Sequence, residues 1–96
     1  MTLLKSPSHP GEVLTLLYLE PLDMSAPALA KRLGVPRTRI ERLVKGETSL
    51  SVDTAMRLSK FFGNTAEFWT NLQRPYDLAL ARKTADLSGI THLAAA

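Results

Sequence analysis

Proline and glycine cut this sequence into stretches that suit only short helices. Pro10-Gly11, Pro21, Pro27, Gly34, Pro36, Gly46, Gly63 and Pro75 recur along the chain. Proline lacks an N–H and pushes the residue before it out of the helical region, and glycine is the favoured residue just past a helix end. Between these breaks the apolar residues keep the spacing of a half-buried helix. Leu29, Ala30 and Leu33 share one face, Ile40, Leu43 and Val44 another, and Ala55, Leu58, Ser59 and Phe62 a third. No strand-like alternation of useful length and no internal repeat occurs. The pattern predicts an all-α bundle of short helices with short connections.

Five helices are expected. The first opens at His9-Pro10-Gly11-Glu12, runs to about Leu19 and is ended by Pro21. Ser25 caps the second, with Pro27 tolerated in its first turn and Gly34 as its stop. Pro36 suits the start of the third, which Gly46 ends. Ser49 or Ser51 caps the fourth, closed by Gly63. Thr65, with Glu67 in the first turn, begins the fifth. Pro75 lies inside that last pattern and predicts a kink or break, with a further piece to about Arg82. Ninety-six residues make one small domain, 1–96. Within it, 1–9 reads as an extended lead-in, 25–46 as the best-marked helix pair, 64–84 as a C-terminal helical region and 85–96 as a flexible tail.

Charge adds a partner class. The net charge is only +3, but it is concentrated. Residues 25–48 hold Lys31, Arg32, Arg37, Arg39, Arg42 and Lys45 against Glu41 and Glu47, about +4. Residues 1–24 come to about −2 and 49–96 to about +1 by the same count. A basic block of this kind points to an anionic partner, most often nucleic acid. The chain has no cysteine, which excludes disulfides, thiolate metal sites and a cysteine nucleophile. It shows no secretory leader, no long apolar run and no lipidation motif, so a soluble cytoplasmic protein without a membrane partner is expected.

The two charge-bearing helices form a recognisable unit. A capped helix, the sharp turn Leu33-Gly34-Val35 and a second short helix make the helix-turn-helix layout, in which the second helix enters the DNA major groove. With Ile40, Leu43 and Val44 facing the core, the other directions carry Arg37, Thr38, Arg39, Glu41, Arg42 and Lys45. Arg37, Thr38, Arg39 and Arg42 are the predicted base contacts, since arginine pairs bidentately with guanine and threonine bonds a base or touches a thymine methyl. Ser25, Lys45 and Thr48 are the predicted phosphate contacts. A competing explanation is a solvated basic face, because Glu41 lies four residues from both Arg37 and Lys45 and is placed to pair with them.

Two further stretches predict protein interfaces. "EVLTLLYLE" is apolar on more than one face, so Leu16, Leu17 or Tyr18 either meets a partner or is buried within the protomer. Trp69, Leu72, Tyr76 and Leu80, with Phe68, form a C-terminal stripe that partly covers the core and partly offers a dimer interface. A two-fold dimer through it would set two recognition helices about one DNA turn, roughly 34 Å, apart. Enzyme chemistry finds no footing. His9 and His92 stand near opposite ends, His9 with Glu12 lacks a further ligand cluster, no nucleophile has a positioned base, and no Gly-rich phosphate loop exists. No metal or cofactor is expected.

The segment "LAKRLGVPRTRIERLVKGETSLSVDTAMRLSKFFG" resembles the lambda-repressor-like helix-turn-helix of the Xre family. The blocks His9 to Leu14, Asp53 to Leu58, and Phe62 to Gln73 followed by Tyr76-Asp77-Leu78 narrow the resemblance to the HigA/VapI-type antitoxin branch. It covers about residues 9–82. The resemblance implies a five-helix lambda-repressor-like bundle, and Pro75, which interrupts a region that is often one smooth helix, adds the expected kink in the C-terminal helix. The resemblance also implies an antitoxin that binds and neutralises a RelE-like mRNA-cleaving toxin and represses its own operon as a homodimer on double-stranded operator DNA. An Xre repressor with no toxin partner is the alternative. Ala26 departs from a glutamine common in relatives, which shifts phosphate contacts toward Ser25 and Lys45, and Pro36 replaces a frequent capping serine.

Overall fold

The computed structural model describes residues 7–94, so most of the expected 1–9 lead-in and the last two residues of the tail lie outside the described residues. Within that span the chain forms five helices and no strand. Helix α1 spans Pro10–Leu14 and continues into a π-helical turn, Thr15–Leu19. Helices α2 (Ala26–Leu33), α3 (Arg37–Val44), α4 (Val52–Phe62) and α5 (Ala66–Thr84) follow.

The caps account for these limits. The His9 ring accepts the Gly11 N–H through Nδ1 at 2.9 Å and starts α1. In the π turn the Glu20 N–H reaches back five residues to the Thr15 carbonyl at 2.9 Å. Asp23 then turns left-handed at φ 52°, and the Met24 N–H closes on the Leu19 carbonyl at 2.9 Å, the wide bond of a Schellman-type ending. Ser25, Ser51 and Thr65 each accept a backbone N–H three residues on, so Ser51 rather than Ser49 caps α4. Gly34 stops α2 at φ 72°, a left-handed conformation that a Cβ would strain.

Trp69, Leu14, Leu29, Ile40, Leu43 and Leu58 are fully buried and hold all five helices on one core. The Trp69 Nε1–H donates to Asn64 Oδ1 at 2.9 Å, and the Asn64 amide donates in turn to the Tyr18 hydroxyl at 3.2 Å. Among the described residues no buried side-chain polar atom lacks a partner, as a well-formed core requires.

Two expectations change, and one open alternative narrows. The break at Pro75 does not occur, since α5 runs unbroken through it to Thr84. Both Pro75 and Asn71, whose carbonyl loses its helical donor, are exposed, so water can replace the missing bond. Trp69 does not belong to a dimer surface: it is wholly buried in the protomer, and its one donor is spent on Asn64. Tyr18 is mainly an inward residue, with its ring 4.7 Å from Phe62 and 5.0 Å from Trp69, centroid to centroid.

Candidate nucleic-acid interface

Helix α3 is seated by residues far away in sequence. Helix α1 crosses its C-terminal end so closely that any Cβ at Gly11 would collide with the Leu43 carbonyl. The His9 Nε2 contacts the Thr48 carbonyl at 3.0 Å. Since Nδ1 already accepts from Gly11, Nε2 is the nitrogen that carries the proton and donates. From the other side the Gln73 Oε1 accepts the Leu50 N–H at 2.7 Å, and its amide donates to Asp77 at 2.8 Å. The loop between α3 and α4 is thus tied to α1 and to α5. The blocks His9 to Leu14 and Phe62 to Gln73 carry the family resemblance but give no local sign of this task for His9 or Gln73. Their bonds span 39 and 23 residues, and spacing along one helix does not report such separations.

The apolar face of α3 is fixed inward through Ile40 and Leu43, while Arg37, Thr38, Arg39 and Arg42 are all exposed. Thr38, Arg39 and Arg42 line one open groove together with Thr48, Ser51 and Asp53. Three of the four predicted base contacts and one predicted phosphate contact therefore meet. Arg37 stands outside that groove at the first position of α3, behind Pro36, which offers no side-chain cap. Lys45 borders a different cleft with His9 and Tyr76, and Ser25 a third beside α1. Ser25 already accepts the Ala28 N–H at 3.2 Å, which leaves its hydroxyl hydrogen for another acceptor.

The expected pairing of Glu41 with Arg37 and Lys45 does not form. Among the described residues the side-chain ion pairs converge on Asp53 instead. Its Oδ2 accepts Arg39 Nη1 at 2.6 Å and Arg57 Nε at 2.9 Å, while Arg57 Nη1 donates to the Leu33 carbonyl at 2.8 Å. The hydrogen bond from Arg39, then that from Arg57, holds the Asp53 carboxyl below the usual carboxylate range. This leaves Arg37, Arg42 and Lys45 without a carboxylate partner among the described residues. In the sequence Asp53 and Arg57 stand only within the family block Asp53 to Leu58. The i, i+4 spacing of Asp53 and Arg57 signals their own pairing, but nothing local signals Arg39.

The interface residues expected at the C-terminal end differ in their burial. Leu72 packs half-buried against the core, and Tyr76 meets the His9 ring edge-on at 4.9 Å. Leu80 is 46% exposed and Leu17 of the π turn 56%. Leu16 is half-buried. Among the described residues no helix is long and apolar enough to cross a membrane, and no group of three acidic, histidine or cysteine residues could hold a metal.

A helix-turn-helix family model matches residues 17–69, which spans α2, α3, α4 and the turns between them. The Virulence-associated protein I of Dichelobacter nodosus is 45% identical over 75 residues, 78% of this chain and 69% of that protein. The chain belongs to the Xre-type helix-turn-helix family, in its HigA antitoxin branch. Among solved structures of this branch, the Pseudomonas aeruginosa antitoxin HigA with the higBA promoter matches at TM-score 0.83 and 35% identity, over 92% of this chain and 96% of that one. The antitoxin GraA in complex with its operator matches at TM-score 0.86 and 33% identity, over 99% of both chains. Within the HigA branch, then, likeness extends through α1 and the whole of α5 as well as the helix-turn-helix itself.

Proposed function

We propose that this chain is a DNA-binding antitoxin. It represses its own operon by placing α3 in the major groove of operator DNA as a homodimer, and it neutralises a RelE-like mRNA-cleaving toxin by direct binding. The observation that carries the DNA reading is the unpaired basic face of α3. Arg37, Arg42 and Lys45 surround a helix whose other face is locked into the core, and no carboxylate among the described residues neutralises them. Arg37, Thr38, Arg39 and Arg42 read bases, while Ser25, Lys45 and Thr48 hold phosphates. The relatives solved on a promoter and on an operator support the same role for this chain.

Two smaller surfaces serve the protein partners. Leu16 and Leu17 offer the toxin contact, with Leu17 the exposed member, while Tyr18 supports them from the aromatic cluster. Leu80 offers the dimer contact, and Tyr76 and Leu72, one and two turns back on the same face of α5, support it from the protomer side. The operator test is a titration of promoter DNA with Arg37→Ala and Arg42→Ala. Each loss of a base-reading arginine should weaken specific binding by about 1–3 kcal/mol. Wild-type binding by both variants removes the recognition-helix assignment. Leu17→Asp should weaken a toxin complex and leave promoter binding intact. If no neighbouring frame encodes a toxin and a pull-down captures none, the chain is an Xre repressor without a toxin partner.

A further inference from the structure

Asp53 is a carboxylate in the groove that the base-reading side chains line, which is an odd place for a negative charge beside a polyanion. It sits in the first turn of α4, facing α3. Its Oδ2 is the meeting point of a relay that ties three helices: Arg39 of α3, Arg57 of α4 and, through Arg57, the last carbonyl of α2 at Leu33. Arg57 is anchored at both ends, so Asp53 is held in turn, and Arg39 docks on a fixed acceptor.

We propose that Asp53 is a specificity-determining positioning residue: it holds Arg39 at the groove and away from the phosphate backbone, so that Arg39 reads bases. This rests on the reading of α3 as the recognition helix. The chemistry follows from the guanidinium. Only Nη1 bonds Asp53, which leaves Nε and Nη2 for the paired acceptors of a guanine edge. An arginine with no tether can bond a phosphate as readily as a base edge, and a phosphate carries no sequence information. The Asp53 charge opposes the phosphate bond twice: it retains the guanidinium, and it repels phosphates that approach the groove in a shifted docking. Asp53 thus lowers indiscriminate DNA binding while it aligns the selective contact.

The test uses the full chain and four proteins: wild type, Asp53→Asn, Arg39→Ala and the double variant. Each is titrated against its own promoter duplex and a scrambled duplex of equal length and composition. The readout is the ratio of the two affinities, which is unaffected by any unfolded fraction because both duplexes draw on the same folded protein. Asp53→Asn should lower the ratio roughly tenfold, the loss of one bidentate base contact, with binding to the scrambled duplex unchanged or tighter. The double variant should match Arg39→Ala. If Arg39→Ala lowers the ratio and Asp53→Asn keeps it, Asp53 does not position Arg39 and the proposal falls alone. If Arg39→Ala itself keeps the wild-type ratio, Arg39 reads no base, and both the proposal and that part of the α3 assignment fall.

Discussion

Along α5, one continuous helix passes through two environments. Its first half, Ala66 to Gln73, supplies Trp69 and Gln73 to the protomer interior and carries Leu72 against the core. Its second half, after Pro75, holds no buried residue, and Leu78 and Leu80 stand 45% and 46% exposed. The backbone is equally helical in both, so local propensity does not explain the difference. The first half is a helix because the bundle holds it. The second half leaves Leu80 in solvent one turn beyond Tyr76, and we read it as the contact for a second protein. On our reading that protein is another copy of the chain.

Substitutions on the two sides should therefore act on different quantities. The largest effect falls on Trp69. Trp69→Ala should cost about 3–5 kcal/mol in urea unfolding, because it empties the centre of the core and strands Asn64. A cost under 1 kcal/mol would mean that Trp69 is not the core residue described. At the border between the halves, Gln73→Ala leaves the buried Leu50 N–H without an acceptor, for about 1–3 kcal/mol. It should also loosen the loop that carries Thr48. Beyond the border, Leu80→Ser should move protomer stability by no more than about 0.5 kcal/mol. Sedimentation should nevertheless show a weaker dimer. A variant that unfolds the protomer without changing association would contradict the division.

The smallest effect comes from acid. The Asp53 carboxyl is held down in the folded chain by Arg39 and Arg57, so its pairing stabilises the fold at any pH above the ordinary carboxylate range. That contribution is lost as pH falls through the lowered value, below about pH 4. Asp53→Asn should flatten this acid limb of the stability profile. An unchanged limb would show that the pairing adds nothing measurable.

The legible parts of the fold are those written in neighbouring residues. Ser25, Ser51, Thr65, Gly34 and Gly63 mark helix ends through bonds that span three or four positions, and the inward faces of α2 to α4 follow from spacing alone. What was not legible depends on distant partners. Trp69 on a helix looks the same in sequence whether it meets Asn64 inside the protomer or a second chain outside it. Pro75 predicts a kink or break because sequence does not say that the Asn71 carbonyl is exposed. Glu41 looks like the partner of Arg37 and Lys45 by spacing, but the α3–α4 packing offers Asp53 to Arg39 instead and leaves those two cations free of a carboxylate among the described residues.

The central claim is that α3 reads a specific DNA sequence, and it is tested most directly by anisotropy titration of the wild-type chain. Promoter DNA from its own operon is compared with a scrambled duplex at one fixed near-physiological salt. The account predicts at least about a 10³-fold preference for the promoter, with two chains bound per site. Equal affinity for both duplexes would contradict it and return the basic face of α3 to a non-specific role.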